Sequence, residues 1–297
     1  MRVTQQILFS NFMRDVSSNR AQMGEIQSDL SSGKSVRVAS QNPINFQRSR
    51  ILEENIRKEE QYQSNIDSGL RQARLAQESL DETIDRLIDL KGIVVQGSTS
   101  SAGESVMKNM AQEVAAMRDG LINTLNLSYG DRYLFAGTNS SEKPFVKDTT
   151  APGGVANNSN DTAPTVLVGD AVRVEMTVAG TEITDTPVGD LFVVLEDIEQ
   201  ALLSNDTSAV NAQLENADAL IEHVTDVTAR LGNNINNMEF MYERYESFRI
   251  TQRSDISSLV DTDFAQAFSD LQRTQVAYES AMAVHSTMFK NTLLDYI

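Results

Sequence analysis

The sequence predicts a mainly α-helical chain with a β-rich insertion: an elongated multi-helix bundle or coiled coil with paired N- and C-terminal helices and a small central β domain. Three observations carry this reading. Apolar residues recur at helical spacing over most of the 297 residues, which marks amphipathic helices. Between about residues 129 and 190 the period drops to two amid Gly, Pro, Thr, Asn and Asp, as in short half-buried strands. Long helices flanking a single insertion fold back so that their far ends meet, which predicts a rod with paired termini at one tip and β structure at the other.

The first helical stretch places Phe9, Phe12, Val16, Met23, Ile26 and Leu30 on one alternating three-and-four seam, with Asn19 as its polar member. Such a seam implies close packing against another helix. LSSGKSVRVASQNP interrupts it: Gly33 is a helix terminator and Pro43 suits the first turn of the next helix. A second stretch runs to about residue 96, with Leu52, Ile56, Ile66, Leu70, Ala73, Leu80, Ile84, Leu87 and Val94 inward. GSTSSAG, residues 97–103, is a turn, and a third helix follows with Met107, Ala111, Val114, Leu121 and Leu125 inward.

In the middle, TVLV (165–168), the alternating run from Val172 to Val178, and TEIT (181–184) read as strands. APGGVANNSND, residues 151–161, reads as a mobile loop or hairpin tip. After the short helix GDLFVVLEDIEQALLS a long seam begins at Val210 and ends in a phase slip at LVDTDF, residues 259–264. A last seam follows: Phe264, Phe268, Leu271, Tyr278, Met282, His285, Phe289 and Tyr296. Leu293, Leu294, Tyr296 and Ile297 give that helix an apolar end, which predicts terminal seams that order against partner subunits. Three divisions follow: residues 1–42 with 258–297 as a terminal coiled coil, 43–138 with 190–257 as a helical shaft, and 139–189 as a β-rich outer domain.

Charge narrows the partners. With 25 basic and 42 acidic side chains the formal charge is −17, unsuited to nucleic acid or an anionic membrane surface. Residues 1–50 hold 7 basic and 3 acidic side chains, whereas 251–297 hold 3 basic and 6 acidic, so the ends are complementary. There is no Cys, no apolar run long enough to span a membrane, and no cleavable secretory signal.

No catalytic, cofactor-binding or metal-binding set emerges. His223 and His285 stand apart from any HExxH pair, and His285 lies on the last seam, where a packing role is the default. The DTD at 261–263 reads as an N-cap for the helix at Phe264 in preference to a Ca²⁺ loop, because the EF-hand spacing is absent.

Several blocks carry a family resemblance. LSSGKSVRVASQNP resembles the flagellin-type LSSG-plus-R motif, and YQSNIDSGL, GDRYLFAGT and the segment from SDISSLV to the end match the same superfamily. Within it, the MRVTQQ start, Pro43 after Gln41-Asn42, the LLDYI finish and RYLFAGT (Arg132, Tyr133, Leu134, Phe135, Gly137, Thr138) followed by PFV resemble the flagellar hook-associated protein 3 family. The resemblance implies a structural, non-enzymatic subunit joining the hook to the filament, located on the flagellum outside the cell. It implies type III export with a chaperone, and as partners the first hook-associated protein, flagellin and other copies of itself in a ring. No nucleic acid, membrane insertion or cofactor is implied. A bulk filament subunit of the same fold, or a cytoplasmic coiled-coil scaffold, are the alternatives.

Overall fold

The structure is a computed structural model that describes residues 2–99 and 103–294. In chain order it contains α1 (Arg2–Ser32), α2 (Pro43–Thr99), α3 (Glu104–Leu125), β1 (Ser128–Tyr129), β2 (Arg132–Tyr133) and β3 (Phe145–Lys147). A 3-10 turn (Pro152–Gly154), β4 (Val155–Asn157), β5 (Thr165–Gly169), β6 (Val172–Glu175), α4 (Gly180–Thr184), β7 (Asp185–Thr186) and β8 (Gly189–Asp190) follow. The chain closes with α5 (Leu191–Leu203), α6 (Thr207–Val260) and α7 (Phe264–Leu294). The fold is mainly α with a small β insertion.

Two compact units divide the chain: residues 58–247, and residues 1–57 together with 248–297. Both α2 and α6 contribute to each.

In the 58–247 unit the seams close on one another. Ile66, Leu70, Ala73, Leu80, Leu87 and Val94 of α2 are buried with Met107, Ala111, Val114, Leu121 and Leu125 of α3 and with Val210, Val224, Leu231 and Met238 of α6. The β segment shares this core, because Phe135, Phe145, Val166, Val168 and Ile183 belong to the same cluster. Its sheets are four separate antiparallel pairs: β1–β2, β3–β4, β5–β6 and β7–β8. A two-stranded pair is marginal by itself, and each leans on helices. The β5–β6 hairpin is held by the Tyr245 hydroxyl, which donates to Val168 O at 2.8 Å, and by Asn65 Nδ2, which donates to Leu167 O at 3.1 Å.

One local expectation changes, and one alternative is chosen. TEIT forms the short helix α4 instead of a strand. Gly180 N–H donates to Phe135 O at 2.8 Å, so the contact that anchors this turn comes from far along the chain. APGGVANNSND meets the hairpin half of its expectation, since it supplies the turn between β3 and β4 and the β4 strand itself, with its glycine turn packed under α5. Burial of Gly153 and Val155 in the core outweighs the loop-like composition.

In the other unit α1 and α7 lie along each other. α1 ends at Ser32, and α2 begins on Pro43 with Asn42 Oδ1 accepting Asn45 N–H at 3.0 Å. The phase slip near 259–264 is three residues long, 261–263.

Candidate assembly site: the α1/α7 helix pair and its base

Burial along α1 follows the predicted seam. Phe12, Val16, Asn19, Met23, Ile26 and Leu30 are half-buried, while Phe9 near the start is 45% exposed. On α7 the half-buried stripe is Ala267, Leu271, Thr274, Tyr278, Ala281 and His285, again in steps of four and three. Of the predicted C-terminal seam, Leu271, Tyr278 and His285 are on this stripe. Phe264, Phe268 and Met282 are 59%, 56% and 46% exposed. The side chain of Phe289 and all of Tyr296 lie outside the described residues.

Two contacts show the alignment. Phe12 stacks on His285 with ring centroids 4.1 Å apart and planes inclined by 17°, and Phe9 meets the same imidazole at 5.9 Å. At the opposite end the Phe264 ring stands against Gly33, 3.7 Å from where a Cβ would be. The helices are therefore antiparallel, with Val16, Met23 and Leu30 level with Ala281, Thr274 and Ala267. Large side chains of α1 meet small ones of α7, which permits close approach. At about 100° per residue, Phe264, Phe268 and Met282 share a flank beside this contact stripe. The helix thus carries two neighbouring apolar faces, one facing α1 and one open.

The base of the pair is a crossover between the two interhelical connections. Gly33, at φ +71°, closes α1 by donating its N–H to Asp29 O at 2.8 Å. A glycine adopts this left-handed conformation without Cβ strain. Its carbonyl then accepts Thr262 N–H at 2.9 Å, and Ser35 N–H donates to Val260 O at 2.8 Å, forming an antiparallel bridge at Lys34 and Asp261. The Ser35 hydroxyl adds bonds to Val260 O and Asp261 O, both at 3.2 Å.

Arg37 braces the loop by pairing with Asp29 at 2.8 Å and bonding Ser28 Oγ, while Gln41 Oε1 accepts its backbone N–H at 2.7 Å. Asn45 Nδ2 reaches Leu259 O at 3.2 Å. Asp263 Oδ1 accepts the N–H groups of Ala265 and Gln266 at 2.9 and 3.1 Å and so starts α7. The DTD segment is a cap, and no side-chain pattern marks the bridge beside it. The small-residue contacts at 267, 274 and 281 were legible as a seven-residue spacing that large apolar neighbours obscured.

The RYLFAGT block has a different place. Leu134, Phe135, Ala136 and Gly137 are buried in the core of the 58–247 unit, whereas Arg132 sits exposed and Tyr133 half-exposed in the β1–β2 hairpin. Thr138 N–H donates to Asn160 Oδ1 at 3.0 Å, which ties the end of the motif to the β4–β5 connection. His223 is a structural contact: its ring Nε2 lies 2.8 Å from Glu182 O and links α6 to α4. Among the described residues no group of three or more His, Asp or Glu is arranged to hold a metal, and no helix is long and apolar enough to cross a membrane.

Comparison with known proteins agrees with this architecture. A model of the bacterial flagellin N-terminal helical region matches residues 3–140. Flagellar hook-associated protein 3 of Salmonella typhimurium is 21% identical, and that of Escherichia coli K12 is 22% identical, with 97% of each chain aligned in both cases. Among solved structures, FlgL of Xanthomonas campestris superposes with a TM-score of 0.61 at 16% identity, covering 69% of this chain and 99% of that one. The flagellar junction protein FlgL of Legionella pneumophila gives 0.62 at 13%, covering 72% and 100%. The chain thus carries the bacterial flagellin N-terminal helical region over residues 3–140 and is similar along nearly its whole length to flagellar hook-associated protein 3, a structural component of the bacterial flagellum.

Proposed function

We propose that the chain is the hook–filament junction subunit of a flagellum outside the cell, joining the first hook-associated protein to flagellin as a ring of copies. Export precedes assembly and delivers the chain, held by a chaperone, through the flagellar type III channel. Residues 1–42 and 258–297 serve as the axial assembly element, 43–138 with 190–257 as the shaft, and 139–189 as the outer part. The observation that carries this reading is the open apolar flank of α7, formed by Phe264, Phe268 and Met282. Large apolar side chains grouped on one helix flank mark a surface that another protein covers. α7 carries the exposed acid Glu279, and α1 carries the exposed bases Arg14 and Arg20. Charges of both signs suit contacts between unlike neighbours.

The test is removal and replacement in the source bacterium. Loss of the chain is expected to leave complete hooks and to release unpolymerised flagellin into the medium. Phe264→Ser with Phe268→Ser is expected to do the same while the purified variant keeps its circular dichroism. Cells that lack the chain yet keep attached filaments refute the junction role. Cells that lack flagellin altogether identify the chain as the filament subunit instead.

A further inference from the structure

The α1/α7 seam has a degeneracy. α1 presents Val16, Met23 and Leu30, and α7 presents Ala267, Thr274 and Ala281, both repeating every seven residues. A slide by one heptad, about 10.5 Å, brings large against small again at two of the three levels, so these positions discriminate weakly between registers. The connection from α1 to α2, residues 33–42, has ample slack for such a slide, since ten extended residues reach about 33 Å. The segment from α6 to α7 has three residues and little slack.

We propose that the bridge between Lys34 and Asp261 is the register pin of the helix pair: it removes the slack of the 33–42 connection and selects one heptad alignment. Its parts are the Thr262 N–H on Gly33 O and the Ser35 N–H on Val260 O, at 2.9 and 2.8 Å. The two bonds lie one and three residues past the end of α1 and two and four residues before the start of α7, so the pin acts where the helices begin to align. Register decides which α1 residues stand level with Phe264, Phe268 and Met282, and therefore the composite face offered to a neighbour. The proposal concerns the helix pair within one chain and does not depend on the junction role.

Because the chain has no cysteine, pairs of introduced cysteines report register directly. A disulfide needs Cβ atoms about 3.5–4.5 Å apart, far less than a heptad slide. Met23→Cys with Thr274→Cys is expected to cross-link in the purified full-length chain. Met23→Cys with Ala267→Cys or with Ala281→Cys is not.

Thr262→Pro and, separately, Ser35→Pro each remove one bridging N–H. Each is expected to lower the 23–274 yield several-fold and to make a 23–267 or 23–281 product appear. Thr262→Ala keeps the N–H and is expected to behave as the unmodified chain. The proposal is overturned if both proline variants retain the single 23–274 product, or if the unmodified background lacks it. Loss of every cross-link in the proline variants also overturns it, since the bridge then maintains the pair without choosing its register.

Discussion

Gly153 and Gly154 make a matched pair for testing why the central segment is ordered. Both sit in the left-handed region, at φ +68° and +70°, so alanine at either carries a backbone penalty of about 1–2 kcal/mol. Their surroundings differ. A Cβ on Gly153 would stand 2.5 Å from the carbonyl carbon of Phe192 and 2.6 Å from Val193 N, backbone atoms at the start of α5. A Cβ on Gly154 meets nothing within 4 Å. Moving a helix start to make room is overpacking, worth about 1–3 kcal/mol more.

Gly153→Ala is therefore expected to destabilise by about 2–5 kcal/mol and Gly154→Ala by about 1–2. In urea, with a slope of about 2 kcal/mol per molar, the transition followed by circular dichroism should move down by about 1–2.5 M for the first and by under about 1 M for the second. Equal midpoints for the two variants refute the view that contact between the 3-10 turn and α5 orders this segment. They would leave backbone conformation as the whole effect.

Three further outcomes follow from polar contacts. Asn126 bonds both Phe145 O and Phe145 N–H, at 2.7 and 3.0 Å. Asn126→Ala leaves two partly buried groups unpaired and should cost about 2–4 kcal/mol in thermal unfolding, whereas an unchanged midpoint means water replaces both bonds freely. Asp190 caps α5 by accepting Phe192 N–H at 2.8 Å, so Asp190→Ala should cost about 1 kcal/mol. Burial raises the pKa of this carboxyl despite the lowering effect of its backbone bonds. Since the folded value lies above the unfolded one, its protonation-linked stability is full below about pH 4 and is lost as pH rises through the folded value. The stability of the wild type minus that of Asp190→Asn should fall across that window, and a rise would reverse the assignment. Asp263→Ala should cost about 1 kcal/mol by uncapping α7, with Asp263→Ser restoring its helicity by circular dichroism.

Much of this architecture was legible because helical periodicity extends over long segments. The α1 seam, the α6 seam from Val210 and the limits at Gly33 and Pro43 all emerge from spacing and terminator chemistry. TEIT failed for the opposite reason: four residues carry too little periodicity to oppose the hydrogen bond that Gly180 N–H donates to Phe135 O. On α7 the largest apolar residues drew the reading toward 264, 268 and 282, yet those are exposed and the half-buried stripe takes in the small residues 267, 274 and 281. Size ranks a residue by how much it gains from burial, whereas the nearest approach of two helices selects residues that take little space. The Lys34–Asp261 bridge consists of backbone bonds between segments more than 200 residues apart, which leave no mark in side-chain type.

The place of the RYLFAGT motif bears on which residues of this chain are open to a neighbour. Leu134 to Gly137 is buried inside the 58–247 unit. A partner protein has no access to such residues, so their identity preserves a core and cannot by itself select a neighbour. Selection then falls to exposed positions, and the largest apolar ones in the terminal unit include Phe9, Met13, Phe264, Phe268 and Met282. Of these, Phe9 touches His285 and Phe264 touches Gly33, whereas Phe268 and Met282 lie off the half-buried stripe that runs from Ala267 to His285. The chain can therefore change what its open flank recognises without changing how its helices pair. Exchanging Phe268 and Met282 together for polar residues separates the two: Phe12–His285 contact and helicity should persist while attachment of filaments is lost. If helicity falls in parallel with attachment, the flank is part of the pair's own packing and the division between pairing face and recognition face is wrong.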